Sequence, residues 1–246
     1  MASTPETPPG SRRHNLAIAV GVVLFVVALW MIKHVLGEYA WDDVTASMEG
    51  IAPRAVLAAL VFTAGSYLLL IFYDVLALRY VDAKVPWTMT AAASFAANAV
   101  GHSVGLTALS GGSIRYRMYA SAGVGTRQIA QVIAFCSVTF GLGTALLLGG
   151  SLLFEARDAA AVLHAGEPLV IAVGAALTAA VFAYFILNLV RRTPLPILRW
   201  QLRLPGAQLA FAQIVVAAVD LAITAAVLYV LLPAGSTAGF GTFLGL

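Results

Sequence analysis

The chain has 246 residues, of which 61% are apolar and only 10% charged, and its mean hydropathy is +0.93. Soluble domains run near ~45–50% apolar and ~25% charged, so this composition excludes an ordinary soluble domain and predicts a polytopic membrane protein, for which about 20 apolar residues per spanning helix is the useful ruler. The net charge of +3 comes from basic residues at the ends of apolar runs; that placement suits membrane orientation and anionic headgroups and, with no basic face or known module, excludes nucleic-acid binding.

Residues 1–14 (MASTPETPPGSRRH) are polar and Pro-rich, which predicts a disordered N-terminus. Residues 15–36 form the first apolar run. Its opening, SRRHNLA, loosely resembles a twin-arginine signal. The run is longer than the ~7–15 apolar residues of a cleaved signal, and His14 and Asn15 follow the arginine pair, so an uncleaved first helix is expected. Residues 37–53 are acidic (Glu38, Asp42, Asp43, Glu49) and read as a short amphipathic loop. The second run is 55–78, closed by the basic loop 79–86 (RYVDAKVP). Segment 87–112 is apolar but dotted with polar groups. The next run is 128–154, with Thr126 as its expected N-cap. A loop at 155–167, a run at 168–190, a basic connector at 191–207 and a run at 208–232 follow. Pro233 and Gly235 end the last of these. Residues 238–246 read as the start of another helix, so the chain is expected to be truncated. No internal repeat or heptad is visible.

The basic residues decide how segment 87–112 is threaded. With Arg12 and Arg13 inside, a spanning segment leaves 5 basic residues inside and 9 outside; a segment that dips in and returns leaves 11 inside and 3 outside. The positive-inside rule selects the second, with the N-terminus cytoplasmic. The segment also carries Ser94, Asn98, His102, Ser103, Thr107 and Ser110, which would be costly against lipid. Gly101 and Gly105 make a GxxxG spacing that permits close helix contact. Gly111 and Gly112 are expected to break the segment. The fold class is therefore an all-α, polytopic integral membrane helix bundle with a re-entrant helical segment. A small-residue helix that spans normally is the alternative.

Few groups can carry chemistry. Arg115 and Arg117 are expected at the cytoplasmic rim, beside Ser110, Ser113 and the glycines. A guanidinium fork pairs with phosphate, and backbone amides near Gly111 and Gly112 would add donors, so a phospholipid headgroup is the expected partner. The competing reading makes both arginines ordinary anchors, with Tyr116 and Tyr119 as interfacial aromatics. Asp220 falls near the middle of a run, where a carboxylate costs about 2.5–3.5 kcal/mol, so it should face the bundle interior and find a partner. Its structural alternative is a hydrogen bond to a hydroxyl on a neighbouring helix. Asn98 and His102 are i, i+4 and share a face, on which they line a polar cavity or simply pack. Asp74, near the cytoplasmic end of its run, is expected at a solvated helix end, with Arg79 or a bundle arginine as the other option. The single cysteine, Cys136, reads as a small buried residue. No metal-ligand spacing or enzyme motif is present, so no catalytic residue, metal or cofactor is assigned.

The stretch HSVGLTALSGGSIRYRMYASAGV (102–124) resembles the glycine- and arginine-rich signature of the transmembrane domain of lysylphosphatidylglycerol synthase/flippase proteins, the multiple peptide resistance factors. The stretch VDLAITAAVLYVLLP (219–233) is similar to a second segment of that family. The resemblance implies a domain of the bacterial inner membrane that moves aminoacylated phosphatidylglycerol between leaflets and so weakens binding of cationic peptides. By position it reaches Gly111, Gly112, Arg115, Arg117 and Tyr119, and Asp220 in the second segment. It does not reach the family's later Pro- and Gly-rich stretch or its synthase domain, so transferase activity is not implied for this chain. The alternatives are the membrane portion of a phosphatidylglycerol aminoacyltransferase whose catalytic half lies elsewhere, and a non-catalytic or truncated membrane protein. A homo-oligomer is left open.

Overall fold

A computed structural model of the chain describes Val26, Trp30 and residues 51–104, 107–191, 195–197, 200–202 and 204–232; the side chains at 102, 104, 107–109, 195–197 and 200–202 are outside that description. The readings at 1–14, 15–36 and 238–246, and nearly all of the 37–53 loop, therefore lie outside the described residues. The chain divides into two compact units, Met1–Ala52 and Pro53–Leu246. Of the first, Val26 and Trp30 are helical and exposed. Everything below concerns the second.

Its described part is a bundle of helices: α1 (Pro53–Tyr80), α2 (Trp87–Val104), α3 (Thr107–Ser121), α4 (Thr126–Phe154), α5 (Ala156–Leu163), α6 (Glu167–Val190) and α7 (Ala207–Leu231). Four of them, α1, α4, α6 and α7, are long and apolar enough to cross a membrane. The protein is an all-α, multi-pass membrane bundle. The connector before α7 adds two three-residue strands, β1 (Leu195–Ile197) and β2 (Trp200–Leu202), paired antiparallel with Leu195 opposite Leu202. Neither this ladder nor α5 is anticipated by the apolar pattern, because both lie in connectors. At the start of α4 the N-cap is Gly125 rather than Thr126, and its amide donates to Gln128 Oε1 at 3.2 Å.

Segment 87–112 is not one rod. Helices α2 and α3 pack against each other as a hairpin. Their 18 and 15 residues rise about 27 and 22 Å, against about 42 Å for the 28 residues of α1. The hairpin starts and finishes at one end of the bundle. Gln128 Nε2, in the first turn of α4, donates to the carbonyl of Val81 just after α1 at 2.9 Å. Ala93 of α2, Tyr119 of α3, Val81 and Ile129 share one buried apolar cluster there.

The turn of the hairpin falls at 105–106, not at the paired glycines. Gly111 and Gly112 are inside α3. A Cβ on Gly111 would stand 2.6 Å from the Ala97 carbonyl oxygen, so the missing side chain is what lets α3 lie on α2. Gly112 faces Ile133 of α4. Adjacent glycines weaken a helix, but here close contact recovers more than their flexibility loses. The same device recurs where Gly143 of α4 meets Ala217 of α7, and where Gly149 of α4 meets Gly174 of α6. Association of helices in lipid depends on such close packing and on interhelical hydrogen bonds. One such bonded chain runs from the Tyr184 hydroxyl to Gln213 Oε1 at 2.6 Å, and from Gln213 Nε2 to Thr139 Oγ1 at 2.8 Å, tying α6, α7 and α4 together.

Candidate functional site

Arg115 and Tyr119 are one turn apart on α3 and share a face. That face meets Asp74 of α1. Arg115 Nε donates to Asp74 Oδ1 at 2.8 Å, Nη2 donates to Oδ2 at 2.8 Å, and the Tyr119 hydroxyl donates to Oδ1 at 2.7 Å. All three side chains are buried, Asp74 and Tyr119 completely. A carboxylate at this depth is tolerated because the guanidinium fork satisfies both oxygens and the phenol adds a third donor. Asp74 is thus not a solvated helix end, Arg115 is not at an open rim, and Tyr119 is not an interfacial aromatic. Among the described residues Asp74 is the acceptor of Arg115, through Nε and Nη2.

Arg117 points away. Two residues along a helix turn the side chain by about 200°, so Arg117 is exposed while Arg115 is buried. The two arginines therefore do not form one clamp. Ser113 is also exposed, and its hydroxyl donates to the Ser110 carbonyl at 2.7 Å. The amides of Gly111 and Gly112 lie within the helical ladder of α3 and are not a free anion nest. His102 sits on α2, with its side chain outside the description. Asn98 is buried and donates to the Ser94 carbonyl at 2.8 Å and to Ser94 Oγ at 3.3 Å.

Asp220 forms a second polar centre at mid-length of α7. Ser66 Oγ donates to Asp220 Oδ1 at 2.6 Å, and the Tyr73 hydroxyl donates to Oδ2 at 3.1 Å. Thr224, one turn further along α7, donates to the Asp220 carbonyl at 2.9 Å and stands 3.3 Å from Ser66 Oγ. Hydroxyl partners on α1 thus carry the interior carboxylate that the sequence expects.

The two centres open on one cavity of about 420 Å³. Asn98, Arg115, Tyr73 and Asp220 form its buried floor, and Ser137, Phe140 and Thr224 are its exposed rim. The centres lie at different depths. Arg115 and Asp74 are each six residues from the ends of α3 and α1, or about 9 Å. Ser66 and Asp220 are about 20 Å from that same end, close to the middle of a 28-residue helix. A polar track therefore leads from one face of the bundle to its mid-depth.

Sequence reasoning singles out Asn98, Arg115 and Asp220, and the structure brings these three together. It misses Ser66, Thr224 and the role of Tyr73, and it ranks the pairing of Asp74 with a bundle arginine below the solvated helix end. A signal for them is present: Ser66, Leu70, Tyr73 and Asp74 follow i, i+4, i+7, i+8 spacing, a polar-edged stripe in an otherwise apolar helix.

The bundle and this interior cavity define a multi-pass membrane protein with a polar site at membrane depth. No family model matches the chain. It is 35% identical over 231 residues to the uncharacterized protein slr0712 of Synechocystis sp., an alignment that covers 93% of this chain and 71% of that protein. The chain belongs to the family of that protein.

Proposed function

We propose that the chain is a lipid-translocation domain of a bacterial inner membrane, with its N-terminus cytoplasmic, that moves an anionic or aminoacylated phospholipid, such as an aminoacylated phosphatidylglycerol, between leaflets. By changing surface charge it would confer resistance to cationic peptides. The observation that carries this reading is the convergence of Asn98, Arg115 and Asp220, from three separate segments, on one cavity. The rim supports it further. Ser137 lies about 17 Å along α4 and Thr224 about 26 Å along α7, so within this unit the cavity opens sideways, at the depth where lipid would meet it. A headgroup entering there meets the Nη1 edge of Arg115 through its phosphate, while a cationic aminoacyl group meets Asp220. The acyl chains stay outside, against the exposed apolar faces of α4 and α7. In this reading only Arg115 of the two arginines touches the headgroup, and Arg117 serves as a surface anchor. The basic residues around the feet of the hairpin support the cytoplasmic orientation.

The test is leaflet-resolved labelling of aminoacylated phosphatidylglycerol in proteoliposomes. The wild-type chain should move the lipid. Ser137→Trp, which fills the rim without touching Arg115 or Asp74, should slow movement at least roughly tenfold, since a blocked site loses its substrate contacts. Equal rates in the variant, the wild type and protein-free vesicles would overturn the reading.

A further inference from the structure

Helices α4 and α6 meet through Gly149 and Gly174 in one half of their length. In the other half Gln213 of α7 bonds to Tyr184 on α6 and to Thr139 on α4, so a side chain of a third helix stands between them. A groove of about 230 Å³ is left there, lined by Gln131, Ala134, Phe135 and Val138 of α4, by Tyr184 and by Pro205 ahead of α7. The cavity of Arg115 and Asp220 uses another face of α4, that of Ser137 and Phe140. The groove is graded with depth. The 29 residues of α4 rise about 43 Å, the thickness of a bilayer with its headgroups (~40–45 Å). Arg127 in the first turn of α4 and Arg191 at the end of α6 are exposed cations at headgroup level. Gln131 is partly exposed and lies about 8 Å in from the start of α4, at the edge of the hydrocarbon core. Ala134 and Val138, both exposed, carry the groove inward to about 18 Å. Arg127, Gln131, Ala134 and Val138 follow i, i+4, i+7, i+11 spacing, so cation, amide and apolar surface form one stripe.

We propose that this groove holds one anionic phospholipid, drawn from the leaflet at the basic end of the bundle, as a bound component and not as cargo. A phospholipid presents the same three levels in the same order: a phosphate, ester carbonyls that accept hydrogen bonds, and an apolar chain. The phosphate meets Arg191 and Arg127, an ester carbonyl accepts from the Gln131 amide, and one acyl chain lies along Ala134, Phe135 and Val138. Basic pockets between helices at a membrane surface take anionic headgroups, and each cation near that surface adds attraction. An apolar helix of another protein would suit the inner level but would leave the Gln131 amide facing hydrocarbon, which is costly. The bound lipid would fill the space between α4 and α6 and brace them. The inference goes beyond lipid translocation and does not rest on it, since neither Arg115 nor Asp220 takes part.

The experiment is native mass spectrometry of the purified, delipidated full chain titrated with phosphatidylglycerol in detergent. The chain carries Ser137→Trp, which closes the first cavity, so that a lipid held there is not counted. One phosphatidylglycerol should bind saturably, roughly fivefold or more tighter than phosphatidylcholine. Arg191→Gln should weaken binding about fivefold by removing one cation, and Gln131→Leu roughly fivefold by removing one donor at similar volume. Ala134→Trp, which fills the groove, should weaken it at least roughly tenfold. Thermal unfolding without added lipid shows which variants are folded, and Arg191→Gln and Gln131→Leu keep the test usable if Ala134→Trp is not. Absence of saturable binding overturns the proposal, as does binding unchanged in those two variants or equal affinity for phosphatidylcholine. Displacement of the lipid by glycerol phosphate alone would reduce the site to a free-anion site, and a dimer in place of the lipid adduct would make the groove a contact between copies; either result overturns it too. Failed lipid movement by the wild-type chain, with this lipid retained, would sink the translocation reading and leave this one standing.

Discussion

Arg115 and Arg117 are two residues apart and have opposite fates. The first is buried against Asp74 and Tyr119, and the second is exposed. Removing one member of a buried ion pair leaves the other charged without its partner, a loss of about 3–5 kcal/mol. Arg115→Ala should therefore lower stability by that order, read as the thermal or denaturant unfolding of detergent-solubilised protein. Arg117→Ala should change it by less than about 0.5 kcal/mol, as for other surface substitutions. Similar behaviour of the two variants would contradict the placement of these side chains. Tyr119→Phe removes one of three donors to Asp74 and should cost about 1–3 kcal/mol, with the ion pair retained. The helical phase of this contrast was open to sequence reasoning, since a helix through the signature must put Arg115 and Tyr119 on one face and Arg117 on another. The partner was not. Asp74 lies 41 residues away, and periodicity carries no information about which distant carboxylate a buried arginine finds.

At the scale of the element, the hairpin α2–α3 depends on close contact at a few small residues. The Gly111 position is in contact with the backbone of Ala97, and backbone cannot turn aside as a long side chain can. Gly111→Val should therefore separate the two helices, at about 1–3 kcal/mol or more, the usual range for overfilling a packed site. By contrast, Gly65 in α1 and Gly141 in α4 have open space where a Cβ would be. Replacing either by Ala should be neutral or stabilising by up to about 1 kcal/mol, because Gly is the poorer helix former. Unfolding of the three variants side by side tests this, and a destabilised Gly65→Ala would count against the packing described. The long spans were legible from hydropathy because crossing a bilayer demands a long apolar run whatever the neighbours are. Existence of the hairpin was legible from charge. Its turn was misplaced because glycine pairs serve both to break helices and to let them touch, and only the facing residue, here Ala97, decides between the two.

At the scale of the whole molecule, the proposed orientation rests on charge and topology together. The hairpin returns to the end from which it came, so α1 finishes and α4 begins on the same side, as the Gln128 to Val81 bond requires. Lys84, Ser121 and the α6–α7 connector then share a side, and the α4–α6 connection with α5 lies on the other. Among the described residues, Arg79, Lys84, Arg115, Arg117, Arg127 and Arg191 fall on the first side, and Arg157 falls on the second, with Arg54 at the start of α1. Such a bias orients membrane proteins with the basic side in the cytoplasm. Cys136, the chain's single cysteine, is buried, so a Cys136→Ser background leaves no native thiol to react. Single cysteines placed at Lys84, Ser121 and Val162 in that background should separate cleanly under a membrane-impermeant maleimide. In intact cells Val162 labels and the other two do not; after the membrane is opened all three label. Labelling of Ser121 together with Val162 in intact cells would mean that α2 and α3 cross the bilayer once between them. The basic side would then have to be divided between the two faces, and a cavity fed from the cytoplasmic leaflet would lose its foundation.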